Sequence, residues 1–388
     1  MSEDDQRDDA AATSRPSVVL LRGHSANTWD LRPWEKIGDA YEVSALVTSS
    51  NEHDVSALAV EQRKVRAVRD FLPGGRIGNI LAYAAGDRYL QLKRYLRGAD
   101  IVHTAELHTW FSAQAARLKR ELGFRLVMTV WETLPSLDAY RLPRERRYRR
   151  AVMEAADMLL PATERARRAL LLEGIADDRI RVCPPGIDTE RFVAVGEQAP
   201  LEEHLLLSPG RLVWEKGHHD ALRAVAALHR GLLGNAPPVR LLIVGAGPEE
   251  GRLRQHAREL GIGGEVEFKR HVAYDEMPAL YRGSSAMVLA SLPRRGWEEQ
   301  FGMVLAEALS SGTAICAARS GAIAEVLGDD GALFEPGDWY GLAQALRDGP
   351  LARAPAERVA HSPERVRQYS TQAAAERICS AYERMLAS

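Results

Sequence analysis

Short apolar runs rich in valine, leucine and isoleucine alternate along the chain with segments in which apolar positions recur every three or four residues. Continuous apolar runs are typical of strands buried on both faces of a parallel sheet, and the segments between them have helical spacing. In the first half, the runs predict strands at 17–23, 41–50, 100–104, 124–132, 157–163 and 179–187. In the second half, they predict strands at 204–212, 238–247, 265–272, 285–291, 313–321 and 331–336.

The alternation is interrupted between these two sets by a stretch marked with proline and glycine, at 184–200. Six strands on each side predict an α/β protein with two doubly wound, Rossmann-like domains, whose ligands would bind in the cleft between them. The acidic N-terminus has few apolar residues and is expected to be disordered. The predicted segments are a disordered N-terminus at 1–16, a first domain at 17–185, a linker at 186–200, a second domain at 201–365 and a C-terminal helix at 366–388 that packs on the first domain.

Composition narrows the class of protein. At 388 residues the chain is too long for one ordinary core, and 46% hydrophobic with 27% charged residues is typical of a globular protein. A net charge of −2 gives no reason to expect a nucleic-acid partner. The three cysteines are widely spaced and suggest neither disulfides nor zinc. Because the sequence has no signal-peptide pattern and no apolar run of ~20 residues, we expect a cytoplasmic location.

Two glycine-containing loops of the second half are candidates for binding phosphate. Arg211 and Lys216 lie in the loop at 208–224, where cations and backbone amides near a helix start would hold phosphate groups. The alternative is a solvated pair of cations. The loop at 244–253 is similar to a dinucleotide fingerprint, but Glu250 stands where the third glycine is required. A tight turn between strand and helix is the simpler interpretation.

The stretch WEEQFGMVLAEALSSG, at 297–312, places two carboxylates around the start of an apolar helix. Gly302 would let a ligand approach the first amides of that helix, which are donors at a positive dipole end. Glu299 is then placed to accept sugar hydroxyls and Glu307 to accept from a ribose. Alternatively, Glu299 only complements the helix dipole and Glu307 is an exposed residue on the helix face.

These motifs resemble, in order and spacing, the C-terminal half of the retaining family 4 glycosyltransferases of the GT-B fold. The resemblance covers about residues 180–340 and is carried by the stretches GRLVWEKG, VGAGP, EEQFGMVLAEALSSG, PPGIDTERF and GALFEPGD. It implies transfer, with retention, of a sugar from a UDP- or GDP-linked donor to a hydroxyl of a glycan, a lipid-linked or a small-molecule acceptor. No cofactor and no metal is expected.

The resemblance also assigns roles to residues of the second domain. Arg211 and Lys216 would bind the donor diphosphate and, with Glu299 on the transferred sugar, form the catalytic set. Glu307 would bind the ribose. The remaining donor contacts that it implies are Phe301, Gly302, Met303, Val272 and, in the first domain, Gly23.

The first half departs from the family pattern. Only Gly23 stands where many members have a glycine pair, and Trp131 and Glu132 occupy the usual place of a Thr-x-His contact to the sugar. His24 or His108 would substitute for that histidine. Trp131 is equally well interpreted as a core aromatic residue at a strand end.

Two other functions remain open at this point. A nucleotide-sugar epimerase or a glycosyl phosphorylase shares this architecture, and a non-catalytic nucleotide-sugar-binding protein would share the motifs. Two basic stretches, at 61–71 and 140–152, also suggest peripheral contact with the anionic inner face of a membrane. A solvated arginine-rich helix is the alternative for the second stretch.

Overall fold

The computed structural model describes residues 15–137, 142–193 and 203–387, and within them two six-stranded sheets are covered by helices. The strands are β1 (Ser17–Leu21), β2 (Glu42–Thr48), β3 (Glu61–Val65), β4 (Ile101–Ala105), β5 (Arg125–Val130), β6 (Met158–Pro161), β7 (His204–Pro209), β8 (Val239–Val244), β9 (Val266–Lys269), β10 (Ala286–Leu289), β11 (Ala314–Ala318) and β12 (Ala332–Phe334). The helices are α1 (Thr28–Glu35), α2 (Gly75–Ala85), α3 (Leu92–Leu96), α4 (Trp110–Leu122), α5 (Pro143–Ala155), α6 (Glu164–Leu172), α7 (His218–His229), α8 (Glu250–Glu259), α9 (Met277–Arg282), α10 (Met303–Ser310), α11 (Ile323–Leu327), α12 (Trp339–Asp348), α13 (Pro363–Gln368) and α14 (Thr371–Leu386).

The first sheet has the order β3-β2-β1-β4-β5-β6. Five of its strands are those that the apolar runs predict, but the predicted strand at 179–187 is wrong. That segment contributes only two isolated bridges, Leu159 to Ile180 and Ile187 to Ser370, and its two prolines lack the N–H that a ladder requires. The sixth strand is β3, which the pattern missed because its sequence, EQRKV, is mostly polar. It is polar because it lies at the edge of the sheet and is largely exposed.

The second sheet contains all six strands predicted for it, in the order β12-β11-β10-β7-β8-β9. Neighbouring residues of the central strand, Leu206 and Leu207, are buried in separate hydrophobic clusters, as are Leu241 and Leu242 of β8. Since both faces of the sheet are covered, apolar residues are needed at every position, and this explains the unbroken runs. The strand order reverses between β7 and β10, so the loops that follow these two strands meet at the carboxyl edge, where such sheets bind ligands.

The chain forms two compact units. Unit 1 comprises residues 1–128, 147–157 and 385–388, and unit 2 comprises 129–146 and 158–384. The domain limits expected from the sequence stay a prediction, and the linker expected at 186–200 lies partly outside the described residues, as does most of the disordered segment expected at 1–16. The C-terminal helix is present as α14, and its packing on the first domain also stays a prediction.

Within the described ranges, none of the helices has the length and apolar character that crossing a membrane requires.

Candidate active site

The two cations of the loop after β7 lie in different surroundings. A 3-10 turn, Trp214–Lys216, leads into Gly217, whose φ is +66°. A Cβ at Gly217 would lie 1.8 Å from the carbonyl oxygen of Ala290, so glycine lets this loop pack against the residue that follows β10. Arg211 is exposed, whereas the side chain of Lys216 is 15% exposed.

Lys216 forms an ion pair with Glu299. Its Nζ lies 2.6 Å from Glu299 Oε2, and the same oxygen accepts a hydrogen bond of 2.6 Å from Ser291 Oγ. The Lys216 ammonium also lies 5.3 Å from the ring centre of Trp297, within cation–π range. Since Glu299 is only 7% exposed, its charge is balanced by a neighbouring cation rather than by solvent. The charge of Glu299 is therefore balanced by the Lys216 ammonium and not by the dipole of α10 alone.

The backbone of Glu299 is fixed as well as its side chain. The amide of Ala322 donates a hydrogen bond of 2.8 Å to the Glu299 carbonyl oxygen. Gly321, with φ of +55°, packs so closely that a Cβ there would lie 2.0 Å from that oxygen. The loop after β11 thus holds the loop that carries Glu299, and it lies at the same edge of the sheet.

Helix α10 begins at Met303, directly after Gly302, whose φ is +80°. This left-handed conformation strongly favours glycine and turns the chain into the helix. Phe301 anchors the turn because its buried ring makes edge contacts with Trp131 and Tyr369, at centroid distances of 6.3 and 5.2 Å. The first amides of α10 lack partners inside their own helix, so this end is suited to an anion.

Glu307 is buried inside α10, so its interpretation as an exposed residue is wrong. Its Oε2 accepts a hydrogen bond of 2.7 Å from the hydroxyl of Tyr281. Burial raises the pKa of Glu307 to about 7, although the bond from Tyr281 acts in the opposite direction. Burial and this carboxylate together raise the pKa of the Tyr281 hydroxyl well above its usual value. Glu307 thus pays a desolvation cost that an ordinary helix residue avoids.

The remaining candidates in unit 2 have structural contacts of their own. Val272, in the loop after β9, is half-buried against the hydrophobic cluster that includes Phe301. Glu132 Oε1 accepts hydrogen bonds of 3.0 Å from the amides of the next two residues, so this carboxylate stabilises its own loop. Trp131 is half-buried and its ring contacts that of Phe301, so its role as a sugar contact or as a packing residue stays a prediction.

In unit 1, Gly23 follows β1 with φ of +63°. A Cβ there would lie 2.8 Å from the ring of Phe111, and the Gly23 amide donates a hydrogen bond of 2.8 Å to Tyr89 Oη. Glycine is therefore required at this position by packing, whatever else the loop does.

The two candidate histidines of unit 1, His24 and His108, follow strands β1 and β4. Both ring nitrogens of His24 are engaged, Nδ1 with the hydroxyls of Thr48 and Ser50, at 2.8 and 2.9 Å, and Nε2 with Asp87 Oδ2 at 2.6 Å. His108 is half-buried in the turn between β4 and α4.

One supporting residue that the sequence analysis did not single out is His218, the first residue of α7. Its Nε2 lies 3.2 Å from the Arg211 carbonyl oxygen and must carry the proton, so Nδ1 accepts from Ser208 Oγ at 2.8 Å. Burial lowers the pKa of His218 to about 4, which keeps the ring neutral. The available signal in the sequence was a histidine directly after the Glu-Lys-Gly motif.

The turn VGAGP supports the same loop. A Cβ at Gly245 would lie 1.9 Å from the Gly210 carbonyl oxygen, and one at Gly247 would lie 2.2 Å from that of Leu212. The glycines thus allow close packing of two backbones.

A cationic loop, a glycine-opened helix and two buried carboxylates at the switch point of a doubly wound sheet are suited to a ligand that carries phosphate groups and hydroxyls. Residues 192–355 match the family described as "Glycosyl transferases group 1", and residues 40–191 match "Glycosyltransferase Family 4". A D-inositol 3-phosphate glycosyltransferase of Corynebacterium urealyticum is 31% identical over 73% of this chain and 71% of its own length. The chain belongs to family 4 of the glycosyltransferases, and it is a retaining enzyme that uses a nucleotide sugar.

Similar solved structures show the same fold. Sucrose-phosphate synthase of Thermosynechococcus elongatus has a TM-score of 0.72 at 19% identity, covering 96% of this chain and 100% of its own. HepE of Anabaena, solved in complex with UDP, has a TM-score of 0.71 at 16% identity, covering 95% of this chain and 99% of its own. At these identities the likeness establishes the GT-B fold alone.

Proposed function

We propose that this enzyme transfers a sugar from a UDP-linked donor to an acceptor hydroxyl, and that unit 2 holds the donor in the loops after β7 and β10. The choice of UDP is supported by the UDP complex of HepE and by an Escherichia coli structure bound to UDP-2-fluoro glucose. The observation that carries the proposal is the buried pair of Lys216 and Glu299 beside the start of α10.

The diphosphate is proposed to lie between Arg211, Lys216 and the first amides of α10. Arg211 is exposed and interacts electrostatically with Glu215, but it forms no ion pair with any of the described residues, so it can meet an anion without breaking such a pair. Lys216 has three ammonium hydrogens and uses one on Glu299. It can therefore contact a phosphate oxygen and Glu299 together, which would fix the sugar relative to the phosphate.

The proposed step breaks the bond between the sugar C1 and the β-phosphate oxygen, which leaves with the electron pair. Arg211, Lys216 and the amides of α10 would offset the charge on the leaving diphosphate. The acceptor hydroxyl attacks the same face of the sugar, and its proton goes to an oxygen of the leaving phosphate. Glu299 would hold sugar hydroxyls with Oε1, because its Oε2 is engaged by Lys216 and Ser291.

Glu307 is proposed to bind the ribose. Tyr281 engages its Oε2, and no donor to Oε1 is found among the residues that the structure describes. Val272 would lie along the base, with backbone of 301–303 beside the sugar. In unit 1, His24 and His108 stay the two candidates for a histidine that contacts sugar or acceptor.

The experiment is a transfer screen of the purified protein with UDP- and GDP-linked sugars. The acceptor panel includes D-inositol 3-phosphate, free glycans and lipid-linked sugars, and NMR reads the anomeric configuration of the product. We expect acceptor-dependent release of UDP with retention. Conversion of the donor sugar without an acceptor, or transfer that requires inorganic phosphate and no nucleotide, would contradict the proposal.

Peripheral membrane contact also remains a proposal. The arginine-rich stretch at 140–152 supports it less than its sequence suggests, because Arg149 is buried and Arg141 lies outside the described residues. The stretch at 61–71 lies shortly before α2, a helix whose large apolar side chains are exposed to solvent.

A further inference from the structure

Helix α2, in unit 1, presents its large apolar side chains to solvent. Ile77 and Ile80 are 67% and 66% exposed, and Leu81 and Tyr83 are exposed as well. The buried positions of the helix are Gly78 and Ala82, four residues apart. The helix therefore packs on unit 1 through its smallest residues, which is the reverse of the usual arrangement in a surface helix.

Close packing explains why small residues face inward. A Cβ at Gly78 would lie 1.7 Å from the carbonyl oxygen of Pro73, and Arg69 Nε donates to Asn79 Oδ1 at 2.8 Å. The helix is thus held against the segment that directly precedes it, 69–73, with Ile77, Ile80 and Leu81 outward. Those positions follow an i, i+3, i+4 spacing, so they form one stripe along the helix.

The turn before α2 carries a further exposed aromatic residue, and exposed arginines lie before and after the helix. Phe71 is 60% exposed, and the guanidinium of Arg66 lies 5.5 Å from its ring centre. Arg88 is exposed just beyond the end of α2. Since monomeric proteins rarely expose contiguous apolar patches, this stripe indicates a surface that a partner covers.

The nearby carboxylates are directed inward. Asp70 accepts hydrogen bonds from the amides of Ser50 and Ala67, and the side chain of Asp87 is 8% exposed and bonded to His24. These two carboxylates therefore do not neutralise Arg66 and Arg88, the exposed arginines on either side of α2. An apolar stripe with aromatic residues and an arginine border complements an anionic bilayer, whereas two copies of this surface would repel one another.

We propose that α2 and the turn at Phe71 form a docking surface for an anionic membrane, with Ile77 and Ile80 inserted at the level of the headgroups. This surface is independent of the proposed donor chemistry, because all of its residues lie in unit 1. It places the apolar contact on α2 rather than on the arginine-rich helix α5.

The test is co-sedimentation of the full chain with vesicles of equal parts phosphatidylcholine and phosphatidylglycerol, compared with pure phosphatidylcholine. We expect binding to the anionic vesicles that weakens as salt is added. Ile77→Gln/Ile80→Gln should lower the partition coefficient roughly tenfold or more. Arg66→Gln and Arg88→Gln should each lower it about fivefold.

Leu172→Gln is the matched control, since Leu172 is an apolar residue of α6, in unit 2, that is 76% exposed. It should bind vesicles as the wild type does. Binding of UDP by each variant, measured without vesicles, verifies that the variants are folded. The proposal is overturned if the wild type does not bind anionic vesicles, or if the double variant binds them equally well. A dimer in light scattering that the double variant abolishes would instead identify a second copy as the partner and overturn it too.

Discussion

Glu299 and Glu307 stand eight positions apart around one helix, yet they lie in opposite kinds of environment. Glu299 is held by an ammonium group and a hydroxyl, with a tryptophan ring beside the ammonium. Glu307 is equally buried but faces the phenol of Tyr281, and no ion pair with it occurs among the described residues. The two carboxylates are buried to a similar extent, but the partner of Glu299 is a cation and the partner of Glu307 is a neutral phenol.

The difference separates two ways of recognising a hydroxyl. A carboxylate fixed by a cation keeps its geometry as charge develops nearby, which suits a group beside the bond that breaks. A carboxylate whose pKa is about 7 gains more from a ligand that supplies hydrogen bonds, which suits a binding contact. We therefore expect the first region to control turnover and the second to control affinity.

Removal of the cation gives the largest expected effect. Lys216→Met leaves Glu299 buried without its partner, and breaking a buried ion pair in this way costs about 3–5 kcal/mol of unfolding free energy. Urea denaturation measures the loss. Lys269→Met is the control, because the Lys269–Glu267 pair is exposed and worth less than about 1 kcal/mol. Lys216→Met/Glu299→Gln should recover most of the stability, and a double variant that is no more stable than Lys216→Met would argue against the coupling.

The next largest effect is a gain in unfolding free energy, expected for Glu307→Gln, and it depends on pH. The pKa of Glu307 is about 7 in the folded chain, against 4.5 when unfolded, so folding favours its protonated form. Below the lower value there is no penalty, and stability falls as pH rises from there towards 7. Glu307→Gln should therefore stabilise the unliganded protein by up to about 3 kcal/mol at pH 8 and have little effect near pH 4. Equal unfolding free energies of variant and wild type at both pH values would refute the burial argument.

Arg211 should affect binding without affecting folding. Arg211→Gln removes one charge-assisted contact to the diphosphate, which is worth about 1.5–3 kcal/mol of UDP affinity. Its unfolding free energy should be unchanged, since the side chain is exposed. Arg252→Gln, a change of another exposed arginine of unit 2, is the control and should leave UDP affinity unaltered. A loss of stability in Arg211→Gln would indicate a structural role instead.

Removal of divalent metal ions is expected to have no effect. No group of three histidine, cysteine or acidic residues suited to a metal occurs in the described ranges 15–137, 142–193 and 203–387. Because Arg211, Lys216 and the first amides of α10 are proposed to offset the charge of the diphosphate, UDP affinity and transfer rate should be the same with and without EDTA. Activity that EDTA abolishes and manganese specifically restores would contradict this prediction.

The sequence predicts the strands of the second sheet better than those of the first sheet, for a physical reason. Strands such as β7 and β8 are buried on both faces, so every position is apolar and the run is easily recognised. Edge strand β3 is solvated and carries charges, so its sequence is not distinguishable from a polar loop. Conversely, the apolar letters at 179–187 suggest a strand, but two prolines there prevent a full ladder.

The site shows a similar limit. The sequence predicts Lys216 beside the diphosphate and Glu299 beside the sugar. It does not indicate that the two side chains pair with one another, since 83 positions separate them and only the strand order brings them together. The burial of Glu307 also depends on Tyr281, which lies on a different helix. No sequence pattern assigned a role to the segment of α2, and only the structure reveals that Gly78 and Ala82 are its buried residues.

The central claim is that Glu299 contacts the transferred sugar and Glu307 contacts the nucleotide. Calorimetric titration with UDP at pH 8, where Glu307 is mainly ionised, tests this directly because UDP has a ribose and no transferred sugar. The account predicts that Glu307→Gln weakens UDP binding by roughly 1.5–3 kcal/mol, whereas Glu299→Gln leaves it nearly unchanged and chiefly lowers turnover. Loss of UDP binding in Glu299→Gln together with normal binding in Glu307→Gln would contradict the assignment.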